Sequence, residues 1–155
     1  MRQTNTANKS KTSLKINREK ILIEEVKVVQ DIIKRMASNS FYIKGWTITL
    51  VFVVLVFRAK DINVSVAYLP LFCFWFLDAY YLRQERLFRK VHDWITKYRL
   101  ENDDNVFNLN PMRFNEDVAS IKRIMFSISI LPFYGAIFLV LSFAVISQYF
   151  CWLFL

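Results

Sequence analysis

Two glycines, two cysteines and one histidine are all that a chain of 155 residues holds of those types, and each scarcity removes a class of function. Gly45 and Gly135 stand apart, so the chain has neither a P-loop nor a dinucleotide-binding turn, both of which need several glycines close together. Cys73 and Cys151 sit far from one another in apolar runs, without a C-x-x-C, a zinc spacing or a disulfide framework. His92 alone cannot form H-E-x-x-H, and it leaves any Ser/His/Asp arrangement resting on one residue. With no acid/base pair, no nucleophile beside a base and no metal set, the sequence predicts no enzyme and no cofactor.

Apolar side chains are abundant. Hydrophobic residues make up 55% and aromatic residues 17% of the chain, whereas soluble domains hold about 45–50% apolar residues even with glycine counted. The charges, 21 Lys+Arg against 13 Asp+Glu for a net +8, are segregated: nearly uncharged blocks alternate with blocks that carry almost every basic residue. That is the pattern of a polytopic membrane protein.

The longest uncharged block is residues 124–155, bounded by Lys122 and Arg123. As one straight helix it would be ~48 Å long against a hydrocarbon core of ~30 Å, which is too long for one crossing and too short for two. One span with spare length is expected, with Pro132 kinking it or marking its true beginning, and Tyr149 and Trp152 at the far interface. The second apolar region, residues 41–82, reads as a hairpin. Trp46 to Phe57 and Ile62 to Leu77 are uncharged, and the charged break at 58–61 separates them. The first span reaches full length if it starts at Phe41 and Lys44 snorkels; the second extends to Leu82.

Orientation follows from the basic residues: 10 lie in 2–44, 2 in the break and 9 in 83–123. The positive-inside rule therefore puts the N-terminus and the central loop in the cytoplasm, and the hairpin tip and C-terminus outside. No apolar run precedes residue 41, so no cleaved signal peptide is expected. Residues 1–13, rich in Ser, Thr, Asn and Lys, read as a disordered polar tail.

Residues 14–40 form an amphipathic cytoplasmic helix with a seam at Leu22, Val26, Val29, Ile33 and Met36. The seam leaves three uses open: self-association, packing on the central loop, or lying on lipid. A helix from Arg83 to Leu100 continues the second span, with Leu87, Val91, Trp94 and Tyr98 at matching spacing. An Asn- and Asp-rich turn follows, and Asn115-Glu-Asp117 is expected to cap the helix that enters the last span. The fold class is thus an all-α membrane protein, with three transmembrane helices and long helical cytoplasmic extensions forming an oligomeric bundle.

Two groups of residues stand out. Arg83, Arg86, Arg89, Lys90, Lys97 and Arg99 form a basic cluster beside Trp94, Tyr98 and His92. It suits anionic lipid headgroups, or the phosphates of a nucleotide or oligonucleotide whose bases stack on the aromatics. Inside the spans, Lys44 is ~20 Å of helix from Phe57 and Asp78 is ~24 Å from Ile62, so the two lie at similar depth on adjacent helices. The pair reads as a structural bridge or as a polar gate or pore lining.

The stretches RMASNSFYIKGWTITLV (35–51) and FWFLDAYYLRQERLFRKVHDW (74–94) resemble the small membrane effectors of bacterial anti-phage systems that accompany nucleotidyltransferases, most nearly the Hailong type. The resemblance implies a tetrameric ion channel in the bacterial inner membrane whose opening depolarises an infected cell. It also implies regulation by a single-stranded oligodeoxynucleotide made by the partner nucleotidyltransferase. A different class of function, a non-conducting scaffold or small toxin whose helical stalk recruits a cytoplasmic partner, fits the same spans.

Overall fold

The computed structural model describes the backbone of residues 2–57, 63–98 and 107–153, and the side chains of residues 17–57, 63–98 and 107–150. Every regular element among the described residues is helical. Helix α1 is Arg2–Phe57, α2 is Tyr68–Tyr98, α3 is Ile121–Met125 and α4 is Leu131–Leu153, with short 3-10 turns at Val64–Ala67 and Pro111–Phe114. Three helices are long and apolar enough to cross a membrane, within Asn17–Phe57, Val64–Tyr98 and Leu131–Phe150.

Helix α1 meets no proline and no glycine before Gly45, so nothing interrupts propagation from one turn to the next. It carries helical backbone from Arg2 through the segment whose composition predicts disorder. The expected break at 58–61 and the turn at 101–106 lie outside the described residues. Pro70 falls in the first turn of α2 and Pro132 is the second residue of α4. At such positions the missing N–H has no helical partner to lose.

Toward the end of the chain one expectation is not met. Residues 115–117 do not N-cap a helix; they are turn residues after the 3-10 turn that Asn110 caps, its side chain accepting from Met112 N at 3.0 Å. Ser120 holds the N-cap position of α3 instead. The uncharged block from residue 124 holds one candidate span with spare length before it, as expected: α3 ends at Met125, residues 126–130 turn, and of the two roles open to Pro132 it takes the beginning of α4 and not a kink.

The chain divides into two compact units, Met1–Arg35 with Gln84–Val118, and Met36–Arg83 with Ala119–Leu155. In the first, Val29 packs with Val91 and Ile95, surrounded by Leu22, Val26, Ile33, Phe88, Trp94, Leu109 and Phe114. The seam is therefore filled by α2 and the segment after it. Of its three possible uses, packing within the chain is the one seen, with Val29 buried and Leu22, Val26 and Ile33 partly buried. Glu25 is fully buried in this unit and accepts the backbone N–H of Phe107 at 2.6 Å. Phe107 has φ 58, a left-handed conformation that costs a non-glycine residue ~1–2 kcal/mol, and the bond to Glu25 helps to hold it.

In the second unit α4 packs on α2 through aromatics and hydroxyls. The Tyr68 hydroxyl pairs with Ser142 Oγ at 2.8 Å, and the Tyr68 ring lies 5.4 Å from Phe138. Gln148 accepts from Val64 N at 3.3 Å, and Trp75 Nε1 donates to the Met125 carbonyl at 3.0 Å. The outward faces of this unit are apolar: Phe41, Trp46, Phe52, Leu69, Leu139, Phe143 and Ile146 are all more than half exposed.

Candidate functional site

The polar residues of the second unit gather inside it. Ser40, Lys44 and Thr47 share one face of α1 by their i, i+4, i+7 spacing, Asp78 comes from the middle of α2, and Tyr134 comes from the first turn of α4. Lys44 Nζ lies 2.6 Å from Asp78 Oδ2. It also donates to Ser40 Oγ at 2.9 Å, and Ser40 in turn donates to Asp78 Oδ1. The carboxylate is fully buried, with Oδ1 hydrogen-bonded and Oδ2 held by the ammonium contact alone. The Lys44 side chain keeps 27% exposure, so the pair has one buried and one accessible partner.

Tyr134 closes the site from α4. Its hydroxyl donates to the Phe74 carbonyl at 3.3 Å, and the Thr47 hydroxyl and the Asp78 carboxylate also bear on it. Its ring stacks nearly parallel on Trp75, 5.9 Å between centroids and 7° between planes. Thr47 donates to the Ile43 carbonyl at 2.7 Å, which satisfies its hydroxyl within α1. A charge in the interior of an apolar helical unit is unfavourable by ~2.5–3.5 kcal/mol on insertion scales unless it is paired or wet. Here it is paired by side chains of α1 and α2, with Tyr134 of α4 alongside.

Depth arithmetic along the hairpin was enough to anticipate Lys44 against Asp78. It missed Ser40, Thr47 and Tyr134. The first two were visible as a polar line on an otherwise apolar helix face. Tyr134 carried no local signal, because its place depends on how α4 packs.

The basic cluster resolves into residues with different partners. Arg89 is committed to Glu85, at 2.9 and 2.6 Å. Arg83 donates from Nε to the Ala119 carbonyl at 3.2 Å. Arg86, Lys90 and Lys97 carry no ion pair among the described residues; by register they lie along one stripe of α2, separated by ~6 Å and ~10 Å of helical rise. Arg99 lies outside the described residues.

Trp94 is half-buried in the core of the first unit, with the Arg113 guanidinium 4.0 Å from its ring centroid. One face of the ring is therefore occupied by Arg113. Tyr98, 51% exposed, has its ring 6.2 Å from that of Trp94 and tilted 39° to it. His92 Nδ1 lies 3.7 Å from Asp93. No group of residues able to hold a metal ion occurs among the described residues. No protein-family model, no curated protein and no solved structure matches the chain.

Proposed function

We propose that the chain is the membrane effector of a bacterial anti-phage system: a multi-pass inner-membrane protein, N-terminus inside and C-terminus outside, that assembles as a homo-oligomer, a tetramer by the resemblance, into an ion channel. Opening depolarises the infected cell. The observation that carries the reading is the buried Lys44–Asp78 pair, with Ser40 and Tyr134 around it, inside a unit whose outside is apolar. A paired charge among three apolar helices serves as a latch: breaking it leaves an uncompensated charge that must be rewetted, and water at that depth is what conduction requires.

Regulation comes from a single-stranded oligodeoxynucleotide supplied by a partner nucleotidyltransferase. Arg86, Lys90 and Lys97 meet its phosphates, and Tyr98 stacks a base. Because the seam of α1 is occupied within the chain, assembly uses other surfaces, among them the exposed apolar faces of the second unit.

The test is ion flux from liposomes holding the purified protein, with and without a short oligodeoxyadenylate. Flux that responds to the oligonucleotide is expected; tight liposomes would favour the scaffold reading. Binding should weaken log-linearly with salt, fall on Arg86→Ala/Lys90→Ala, and lose about 1–3 kcal/mol on Tyr98→Ala.

A further inference from the structure

A groove of about 270 Å³ runs between α1 and α4 in the second unit, lined by Ile48, Val51, Phe52 and Leu55 from one helix and by Ala136, Ile137 and Val140 from the other. The lining side chains are all hydrocarbon, so water has no partner there. A cavity of ~150 Å³ with a Leu/Ile/Phe lining stays dry and takes an apolar guest, and this groove is larger. From Ile48 to Leu55 it follows ~10 Å of α1.

Two further observations identify the guest. Both lining helices belong to the three that are long and apolar enough to cross a membrane, so the medium against the groove is acyl chain. Lys44 lies on the same face of α1, one turn before Ile48, and its side chain is 27% exposed. A cation at the end of a hydrocarbon slot is complementary to an anionic amphiphile. A second copy fits less well. Phe52 at 64% and Val140 at 55% exposure stand as bulky ridges beside the slot, whereas close helix–helix approach in a membrane uses small residues.

We propose that this groove holds one acyl chain of an anionic phospholipid of the surrounding bilayer, with the lipid phosphate drawn to Lys44. Lys44 is also the partner of Asp78, so the seated lipid competes for the cation of that pair and couples bilayer charge to it. The lipid site rests on the membrane placement of the second unit and not on conduction, and its test reads binding, so the two can fail separately.

The test uses the full chain in vesicles of phosphatidylcholine with phosphatidylglycerol, the latter carrying a photoreactive group on its acyl chain, followed by native mass spectrometry after gentle delipidation. We expect a retained phosphatidylglycerol and cross-links concentrated at 48–55 and 136–140. Val140→Trp, or the milder Ala136→Leu should the former not fold, fills the slot and should lower retention about tenfold, the loss of a few buried methylenes. Lys44→Met should lower the preference for phosphatidylglycerol over phosphatidylcholine about fivefold. Cross-links spread evenly over the apolar surface, or retention unchanged in the filled variants, would overturn the site; so would chain-to-chain cross-links from a photoreactive amino acid placed at Phe52, which would assign the groove to a second copy.

Discussion

The two units of the chain are inverted with respect to one another. The first hides Val29, Leu87, Val91 and Ile95 and exposes Glu24, Lys27, Asp31, Lys34, Lys90 and Lys97. The second buries Thr47, Asp78 and Tyr134 while exposing Phe41, Trp46, Phe52, Leu69, Leu139 and Phe143. In both, most buried polar groups are hydrogen-bonded or ion-paired, Ser127 Oγ being an exception among the described residues; what differs is the surface. The first is built for water and the second for hydrocarbon. Each has a buried carboxylate, and the contrast extends to these. Glu25 accepts a backbone N–H, which fixes a turn. Asp78 takes the Lys44 ammonium and the Ser40 hydroxyl, two side chains of another helix.

The largest effect expected from this contrast is at Asp78. Asp78→Leu strands Lys44 and should lower the stability of the second unit by about 3–5 kcal/mol, with Lys44→Met/Asp78→Leu recovering most of it, because removing both charges leaves nothing unpaired. Denaturation midpoints of the protein in micelles measure both.

Surface polarity comes next. Phe143, 75% exposed in the second unit, and Val28, 42% exposed in the first, should respond oppositely to aspartate. Phe143→Asp should oppose membrane integration by about 3 kcal/mol, whereas Val28→Asp should stay within about 0.5 kcal/mol. Glycosylation-reporter insertion and thermal unfolding give the two values, and equal effects would erase the inversion.

Ile95→Ala opens a cavity beside Val29 and Val91 and should destabilise the first unit by about 2–3 kcal/mol while leaving the particle mass in detergent unchanged. Dissociation of the particle would return the α1 seam to the assembly interface. A smaller loss than that is expected at Glu25→Gln: it weakens the hydrogen bond to Phe107 N from charged to neutral, for about 1–2 kcal/mol, seen as faster hydrogen exchange of that one amide.

How much of this was legible beforehand follows from the range of each interaction. The three long apolar helices and the charged segments between them are one-dimensional patterns, and hydropathy read them. The Lys44–Asp78 contact was reachable because a short charged break between two apolar runs makes depth a matter of counting residues from it. The seam's periodicity was visible, but its partner was not: an apolar stripe is equally satisfied by a second copy, by lipid or by α2, and only the packing of Val29 on Val91 and Ile95 decides. The beginning of α4 at Pro132 was one of two readings that a proline in an uncharged run allows, a kink or a beginning, and the run has no other internal punctuation to show where α3 ends. Arg89 was counted with the ligand cluster although Glu85, one turn earlier, was in plain view as its partner.

The central claim is that the Lys44–Asp78 pair latches a conduction path through the apolar unit, and a double-mutant cycle on ion flux tests it most directly. Proteoliposomes holding wild type, Asp78→Asn, Lys44→Met and the double variant should show wild-type flux, an altered open probability in each single variant and partial restoration in the double, with a coupling of about 0.5–3 kcal/mol as for residues in contact. No flux from any of the four, or effects of the two single changes that simply add, would contradict the account.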